Sequence, residues 1–318
     1  MNRKVSYLLL FALVLSLSAC DAKKSDENES GKIKGEEYLY NIYYGELCGV
    51  YFKDNIEYEN NILGLGKEDN LKKGYIIDPH GNDAIVEGIK TKFSMDENCE
   101  TVTENGMEFE RSIRVWENGY IEYKFEPVDI EKYFHEAKDF ELTYEEYTKI
   151  ADDFLTDIGF MDETIIRDYV EVKDDVQTEK KGNSKTISKG VSYDKYIDGV
   201  KVYSQYAASI GVNAYGQVTR CYIPNMKVLD EFEISNKYVV ELKDAIEQAK
   251  KFKGLVSMNQ VTERVELEKA QVLYYADAYP TSEEMAIIPI YKIEGKAFVG
   301  DNEIGEVVCY ESATVVEE

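Results

Sequence analysis

The sequence has little of the material from which catalytic and metal sites are commonly built. Its 318 residues include 2 His, 1 Trp and 5 Pro. Cationic residues are also scarce, because 37 Lys+Arg stand against 62 Asp+Glu and leave a formal net charge of −25. A nucleic-acid-binding protein needs clustered Lys and Arg to neutralise phosphates. This charge balance therefore excludes nucleic acid as a partner.

Apolar residues are plentiful enough for a folded protein. Hydrophobic residues make up 44% of the chain and aromatic residues 12%, which is well above the range of disordered chains. The length corresponds to one large domain or two ordinary ones.

The first twenty residues have the pattern of a lipoprotein signal peptide. An apolar run over residues 5–17 follows two cations and is too short to span a bilayer as a helix. The tetrad Leu17-Ser18-Ala19-Cys20 resembles the lipobox of bacterial lipoproteins, which implies removal of residues 1–19 and attachment of lipid to Cys20. An ordinary secretory signal with an incidental cysteine is the alternative. We expect a mature protein of charge −27 (−25 − 2), anchored on the extracytoplasmic side of the cell membrane.

Residues 20–37 are predicted to be the lipid anchor and a flexible tether. Most side chains after Cys20 in this segment are charged or small, so burial cannot offset the entropy lost on ordering. No later stretch of the sequence is long and apolar enough to cross a bilayer.

Cysteine usage is compatible with this location, because disulfides persist outside the cytoplasm. Apart from Cys20, the sequence contains Cys48, Cys99, Cys221 and Cys309, which allow three pairings. We favour Cys48–Cys99 and Cys221–Cys309, since each pair stays within one half of the chain. The residues leave open the alternative of four free, buried thiols.

Residues 38–130 are predicted to form a β-rich domain. Tyr, Ile, Val and Phe, which suit a pleated and half-buried surface, are frequent there. Residues 107–116 and 120–126 flank Asn118-Gly119, a dipeptide that readily forms a tight turn. Asn105-Gly106 offers another turn. We expect a small antiparallel meander.

Residues 141–318 are predicted to form two tandem α+β units, at about 141–230 and 237–318. Thr143 and Glu146 form a capping box at the start of a helix that extends to Ile158. A second helix is expected at about residues 242–252. Three strand-like runs follow each helix. The predicted fold class is therefore α+β, with each unit packing one helix on a small antiparallel sheet.

The C-terminal segments resemble a known module. Residues 196–203 (YIDGVKVY) and 210–218 (IGVNAYGQV) are similar to PepSY-like modules, and most similar to those of the YycH/YycI family of extracytoplasmic regulators. Residues 288–293 (IPIYKI) resemble the last module of that family, with Tyr291 where the family commonly has Trp. The resemblance implies a non-enzymatic module that binds a protein or peptide, often a sensor kinase or a peptidase.

The sequence contains no clear catalytic or metal-binding motif. His80 and His135 have no Cys or second His at ligand spacing, so we expect no metal site of the zinc type and no cofactor. A calcium-binding acidic loop, such as residues 301–303, stays an alternative without the EF-hand spacing. An envelope-polymer hydrolase that uses a carboxylate pair is the alternative function. The adjacent pairs include Asp152/Asp153, Asp174/Asp175 and Glu283/Glu284.

Tyrosine is the residue type that is most clearly over-represented, with 26 residues. Tyr38, Tyr40 and Tyr44 are a candidate aromatic surface for a peptide or glycan, although a structural role in a strand is the simpler interpretation. The predicted function is a membrane-anchored lipoprotein that binds a protein or peptide without catalysing a reaction.

Overall fold

The computed structural model describes residues 51–62, 71–168, 174–178, 184–203, 207–249, 261–276 and 286–314. The helices in these ranges are α1 (Asp83–Phe93), α2 (Ile130–Glu136), α3 (Tyr144–Asp157) and α4 (Leu242–Ala249). The strands are β1 (Tyr51–Asn60), β2 (Lys73–Ile77), β3 (Cys99–Glu104), β4 (Met107–Val115), β5 (Ile121–Pro127), β6 (Ile165–Asp168), β7 (Asp174–Thr178), β8 (Ser184–Ile197), β9 (Val200–Tyr203), β10 (Ala208–Asn213), β11 (Val218–Ile223), β12 (Val228–Glu233), β13 (Val261–Ala276), β14 (Ala286–Val299) and β15 (Asn302–Ser312).

The predicted fold class is wrong, because the described strands join one mixed sheet of fifteen strands. The main order is β12-β2-β14-β13-β9-β8-β10-β11-β5-β4-β3, with β1 on β13, β15 on β14, and both β6 and β7 on β8. β1 and β2 pair with β13 and β14, so strands from both predicted halves share one sheet. Alternation of apolar residues assigns a strand's faces but does not identify its partner.

Long strands make this continuity possible. β13 has 16 residues and β14 has 14, so each can pair with more than one neighbour along an edge. β13 pairs with β14 over most of its length, whereas its other edge pairs with β1 and, at Tyr274 and Tyr275, with β9. The β8–β9 hairpin turns at Asp198 and Gly199, whose φ angles are 52° and 72°. This hairpin connects the two halves of the sheet.

Each half of the sheet has its own hydrophobic core. In one half, α3 packs across β8, β10 and β11 and buries Ala151, Phe154 and Leu155. In the other half, α4 packs on β14 and β15 and buries Ala245 and Ile246. We call these the α3 core and the α4 core. A smaller cluster containing Tyr75 and Tyr274 lies where the halves meet.

The prediction of α3 is confirmed in detail. The Thr143 hydroxyl accepts a hydrogen bond from the Glu146 amide at 3.3 Å, and the Glu146 carboxylate accepts one from the Thr143 amide at 2.8 Å. This is the capping box that the sequence predicts. The second predicted helix is also present as α4, over the residues that the structure describes.

The predicted meander is confirmed, but α1 within the same region was not predicted. β3, β4 and β5 pair antiparallel, and their turns place Gly106 and Gly119 at a φ of 77°. The sequence of α1 is rich in β-branched residues, which favour strands. Helical spacing nevertheless brings Ile85 and Ile89 to one buried face. In the described part of the chain, no helix is long and apolar enough to cross a membrane.

Candidate functional site

A half-open cavity of about 460 Å³ lies between α3, the C-terminal end of α1 and the sheet. The inner wall consists of side chains from β4 and β5, namely Arg111, Tyr123 and Phe125. Residues of α3 and of the turn between β10 and β11 form the opposite side and the rim. We call it the Arg111 cavity after its central cation.

Arg111 is a buried cation held by aromatic rings and carboxylates. It occupies a core-facing position in the alternation of β4, between Phe109 and Ile113, and is 9% exposed. Its guanidinium lies 4.8 Å from the centroid of the Phe93 ring. Its two terminal nitrogens donate to Glu100 at 2.9 Å and to Glu104 at 3.1 Å. These pairs compensate for the cost of burying the charge.

A chain of hydrogen bonds fixes Glu104. The fully buried Asn213 donates from Nδ2 to Gln217 Oε1 at 2.9 Å. The Gln217 amide in turn donates to the second carboxylate oxygen of Glu104. Because Glu104 also accepts from Arg111, the orientation of the guanidinium is set by residues on β3, β4 and the β10–β11 turn.

Two buried polar atoms of residues that line the Arg111 cavity make no close hydrogen bond to the described residues. They are Arg111 Nε and the hydroxyl of Tyr123, a side chain that is fully buried and stacked on Phe93 with centroids 4.9 Å apart. Burial raises the pKa of Tyr123, and the charge and hydrogen-bonding of Arg111 oppose this rise. Leaving such atoms without a close partner costs free energy.

The rim of the cavity contains both signs of charge. Lys92 and Asp157 form an ion pair, and Lys149 contacts Asp153 at 2.7 Å. Asp153 and Asp157 are therefore compensated by lysines. The charged residues that line the cavity are Lys92, Arg111, Glu104, Asp153 and Asp157, which sum to −1 (+2 − 3).

The predicted carboxylate pair Asp152/Asp153 does not converge on one site. Asp153 lines the cavity. Asp152 instead accepts a hydrogen bond from the buried Tyr193 hydroxyl at 2.7 Å and lies 3.5 Å from Arg167. Glu283 and Glu284 lie outside the described residues, as do the side chains of Asp174 and Asp175.

The cysteines do not form the predicted Cys221–Cys309 disulfide. Cys221 belongs to the α3 core and Cys309 to the α4 core, so the two lie in separate parts of the molecule. Cys99 is an exposed free thiol on β3. Burial raises the pKa of the Cys221 thiol, which makes it an inert apolar side chain. Cys48 lies outside the described residues.

The remaining predicted site residues are not brought together. Cys20, Tyr38, Tyr40 and Tyr44 lie outside the described residues, so lipid attachment and the aromatic surface stay predictions. The imidazole of His80 lies at 3.4 Å from the Asp83 carboxylate at the start of α1. Within the ranges that the structure describes, no group of three or more His, Cys, Asp or Glu residues could hold a metal ion.

A buried thiol–carboxyl pair in the α4 core was not predicted. Cys309 Sγ donates to Glu311 Oε1 at 3.2 Å, and the two residues are 1% and 9% exposed. Burial raises the pKa of Glu311 to about 7, so this carboxyl group is largely protonated in mildly acidic solution. The sequence feature that could have indicated this pair is a glutamate at an inward position between Cys309 and Ala313.

A hydrogen-bonded tyrosine pair lies where the two cores meet. The Tyr75 hydroxyl donates to Asp198 Oδ2 at 2.9 Å and lies 3.3 Å from the Tyr274 hydroxyl. Asp198 is in the turn of the β8–β9 hairpin. The contact therefore attaches this hairpin to β2 and β13.

Comparisons with known proteins do not assign a family. No family model matches the chain, and no curated protein does. Among solved structures, the chain is similar to the Bacillus megaterium YpeB C-terminal domain, with a TM-score of 0.28 and 11% identity over 74% of this chain and 99% of that one. A TM-score this low does not establish a shared fold. The resemblance to PepSY-like modules and the YycH/YycI family stays a prediction.

Proposed function

We propose that the protein is a non-enzymatic lipoprotein on the extracytoplasmic side of the cell membrane, anchored through Cys20, and that it binds a peptide or protein segment in the Arg111 cavity. The observation that supports binding is the cavity itself, in which the guanidinium of Arg111 lies beside the aromatic rings of Phe93 and Phe125. A volume of about 460 Å³ lies within the usual range of ligand sites.

The surroundings of Arg111 favour recognition. Arg111 is held in place by Glu100 and Glu104, so little ordering is needed when a ligand binds. Phe93 and Phe125 offer apolar area on either side of the guanidinium. A regulatory role toward a sensor kinase or peptidase is the finer form of the proposal, and its support is the sequence resemblance of residues 196–203 and 210–218.

Site-specific photo-crosslinking in intact cells tests the proposal. The photoreactive residue p-benzoylphenylalanine replaces Ile150, which lines the cavity, or Lys269, which is exposed on β13 in the other half of the sheet. We expect a discrete peptide or protein adduct at position 150 and none of that size at position 269.

Two results would contradict the proposal. They are the absence of an adduct at position 150 and equal adducts at both positions. Circular dichroism of each variant checks that the substituted chains are folded.

A further inference from the structure

We infer that the open edge of β3 is a docking site for a cationic, extended polypeptide segment, which adds to the sheet as a further strand. β3 lies at one end of the strand order and, among the described residues, pairs with β4 alone. We call its other side the β3 edge. The inference goes beyond the function proposed above, because it concerns the edge of the sheet and does not depend on a ligand in the Arg111 cavity.

The backbone of β3 directs a row of hydrogen-bonding groups away from β4. The Asn98 carbonyl accepts a hydrogen bond from the Ile113 amide at 2.8 Å, so the backbone groups of Asn98 face β4. These groups alternate between the two edges of an antiparallel strand. The amides and carbonyls of Cys99, Thr101 and Thr103 therefore face the β3 edge, where no described strand pairs with them. The side chains of the same three residues are exposed.

β3 lacks the features that usually protect an edge strand from pairing. Such strands are blunted by proline, by lysine or by a bulge. The segment Cys99–Glu104 contains no proline, lysine or arginine, and its register with β4 continues without a shift. Its two acids, Glu100 and Glu104, are paired with Arg111 at 2.9 and 3.1 Å. The β3 edge therefore has the geometry that strand addition requires.

A row of exposed acids beside the β3 edge specifies the charge of the added strand. Glu108 and Glu110 lie on the outer face of β4, and Glu126 lies directly opposite Glu110 on β5. None of the three has a described lysine or arginine within ion-pair distance. Lys124, on the same face of β5, contacts Glu122 at 2.9 Å. Like charges directly opposite each other are destabilising, so a cation beside this row would be stabilised.

Lysine or arginine side chains of an added strand would reach this row. Thr101 and Thr103 stand between the β3 edge and the acids, since they are the cross-strand partners of Glu110 and Glu108. Neighbouring strands are about 4.8 Å apart, so the added strand would lie about 10 Å from β4. Long cationic side chains can extend over the small threonines toward the glutamates. A second copy of the chain, with a formal charge of −25, would bring further acids to the same edge and is disfavoured.

Two peptides of equal charge test the inference. Acetyl-Lys-Val-Lys-Val-Lys-Val-amide alternates cations with β-branched residues. Acetyl-Lys-Pro-Lys-Pro-Lys-Pro-amide has the same charge, but its prolines prevent a regular β-ladder. Each is titrated into the full mature protein at low salt, and NMR follows binding and the hydrogen exchange of backbone amides. We expect the valine peptide to bind at least about five-fold more tightly than the proline peptide. At saturation it should slow exchange of the Thr101 and Thr103 amides about ten-fold or more.

Matched variants of Thr101 show whether the peptide uses the backbone of β3. Thr101→Pro removes an amide that faces the β3 edge and leaves the hydrogen bonds to β4 in place, since proline is tolerated in edge strands at such positions. Thr101→Ala removes the same side chain but keeps the amide. Thr101→Pro should weaken binding of the valine peptide about five-fold or more, whereas Thr101→Ala should change it little. Circular dichroism checks that both variants are folded.

A second pair of variants tests the role of charge. Glu110→Gln removes one acid of the row beside the β3 edge and should weaken binding of the valine peptide about two-fold at low salt. Glu117→Gln removes an exposed acid in the turn between β4 and β5 and should leave the affinity unchanged. Equal effects of the two substitutions would contradict recognition of a cationic strand by this row.

The inference is overturned if the valine peptide does not slow exchange at Thr101 and Thr103, if the proline peptide binds as tightly, or if folded Thr101→Pro binds as tightly as Thr101→Ala. The exchange measurement uses the unsubstituted protein, so it decides the matter even where Thr101→Pro does not fold. Slower exchange at the same amides that increases with protein concentration, without peptide, would assign the β3 edge to a second copy and reject the cationic partner. None of these results bears on the adduct at position 150, which reports on the Arg111 cavity.

Discussion

Removal of the hydroxyl group should affect stability differently at two buried tyrosines. Tyr123 on β5 and Tyr193 on β8 are both fully buried in the α3 core. The Tyr123 hydroxyl makes no close hydrogen bond in the described part of the molecule and interacts with the Arg111 guanidinium, whereas the Tyr193 hydroxyl donates to Asp152 at 2.7 Å. Tyr→Phe substitution keeps the ring in both cases, so the comparison isolates the hydroxyl.

The magnitudes follow from the hydrogen-bond partners. A hydrogen bond to a charged group contributes about 1.5–3 kcal/mol, so Tyr193→Phe should lower the free energy of unfolding by about 2 kcal/mol. Asp152 retains Arg167 at 3.5 Å, which limits the loss. Tyr123→Phe removes an unsatisfied polar atom and should leave stability unchanged or raise it by up to about 1 kcal/mol.

Urea unfolding followed by tryptophan fluorescence measures both effects. The chain contains 1 Trp, Trp116, at the end of β4 in the same half of the sheet. The midpoint should shift at constant m-value if only native-state contacts change. Equal destabilisation by the two substitutions would refute the reasoning, because it would mean that the Tyr123 hydroxyl is hydrogen-bonded in the free protein.

Three further predictions concern other parts of the molecule. The pKa of Glu311 is raised from 4.5 to about 7, so the folded state retains a proton that the unfolded state releases in this interval. The contribution of Glu311 to the free energy of unfolding should therefore fall by about 3 kcal/mol as the pH rises from 4.5 to 7. Urea titrations at several pH values should show that Glu311→Gln removes this slope; an equal slope in both proteins contradicts the assignment. Gly295→Ala should lower the melting temperature by several degrees, because a Cβ at this position would lie 2.3 Å from the Glu266 carbonyl oxygen. Gly305→Ala should change the melting temperature little, because a Cβ there would meet open space. Similar decreases in melting temperature for both variants would argue against the close approach at Gly295. Cys20→Ala should move the protein from the membrane fraction to the soluble one, and an unchanged distribution would exclude the lipid anchor.

Local signals in the sequence were sufficient to predict some helices and turns, but not the pairing of strands in the sheet. The capping box of α3 and the Asn-Gly turns of the β3–β4–β5 meander depend on neighbouring residues, and both are confirmed. The strands β1 and β2 have partners about 200 residues away, which no local pattern specifies. The β-branched residues of α1 favoured a strand locally, but tertiary packing favoured the helix.

Only one residue of the candidate site could have been predicted from the sequence. Arg111 interrupts the apolar face of β4 between Phe109 and Ile113, and a cation at a core-facing position indicates a buried polar contact. Its partner Glu104 lies on the adjacent strand, but Gln217 comes from a turn 113 residues away. The predicted disulfide failed for the same reason, because Cys221 and Cys309 belong to cores that the sequence does not separate.

The arrangement of the two cores along the chain gives their contacts very different sequence separations. The helices and strands that enclose the Arg111 cavity lie within residues 83–223, so the contacts of this half are contained in one contiguous stretch. The α4 half needs β1 and β2 together with β13 and β14, which closes a loop of about 200 residues and is a slow step. Before β13 and β14 are in place, the edges of β1 and β2 that pair with them have no partner. Completion of the sheet therefore depends on β13 and β14, so a chain that stops before residue 261 would lack the strands that hold β1 and this edge of β2.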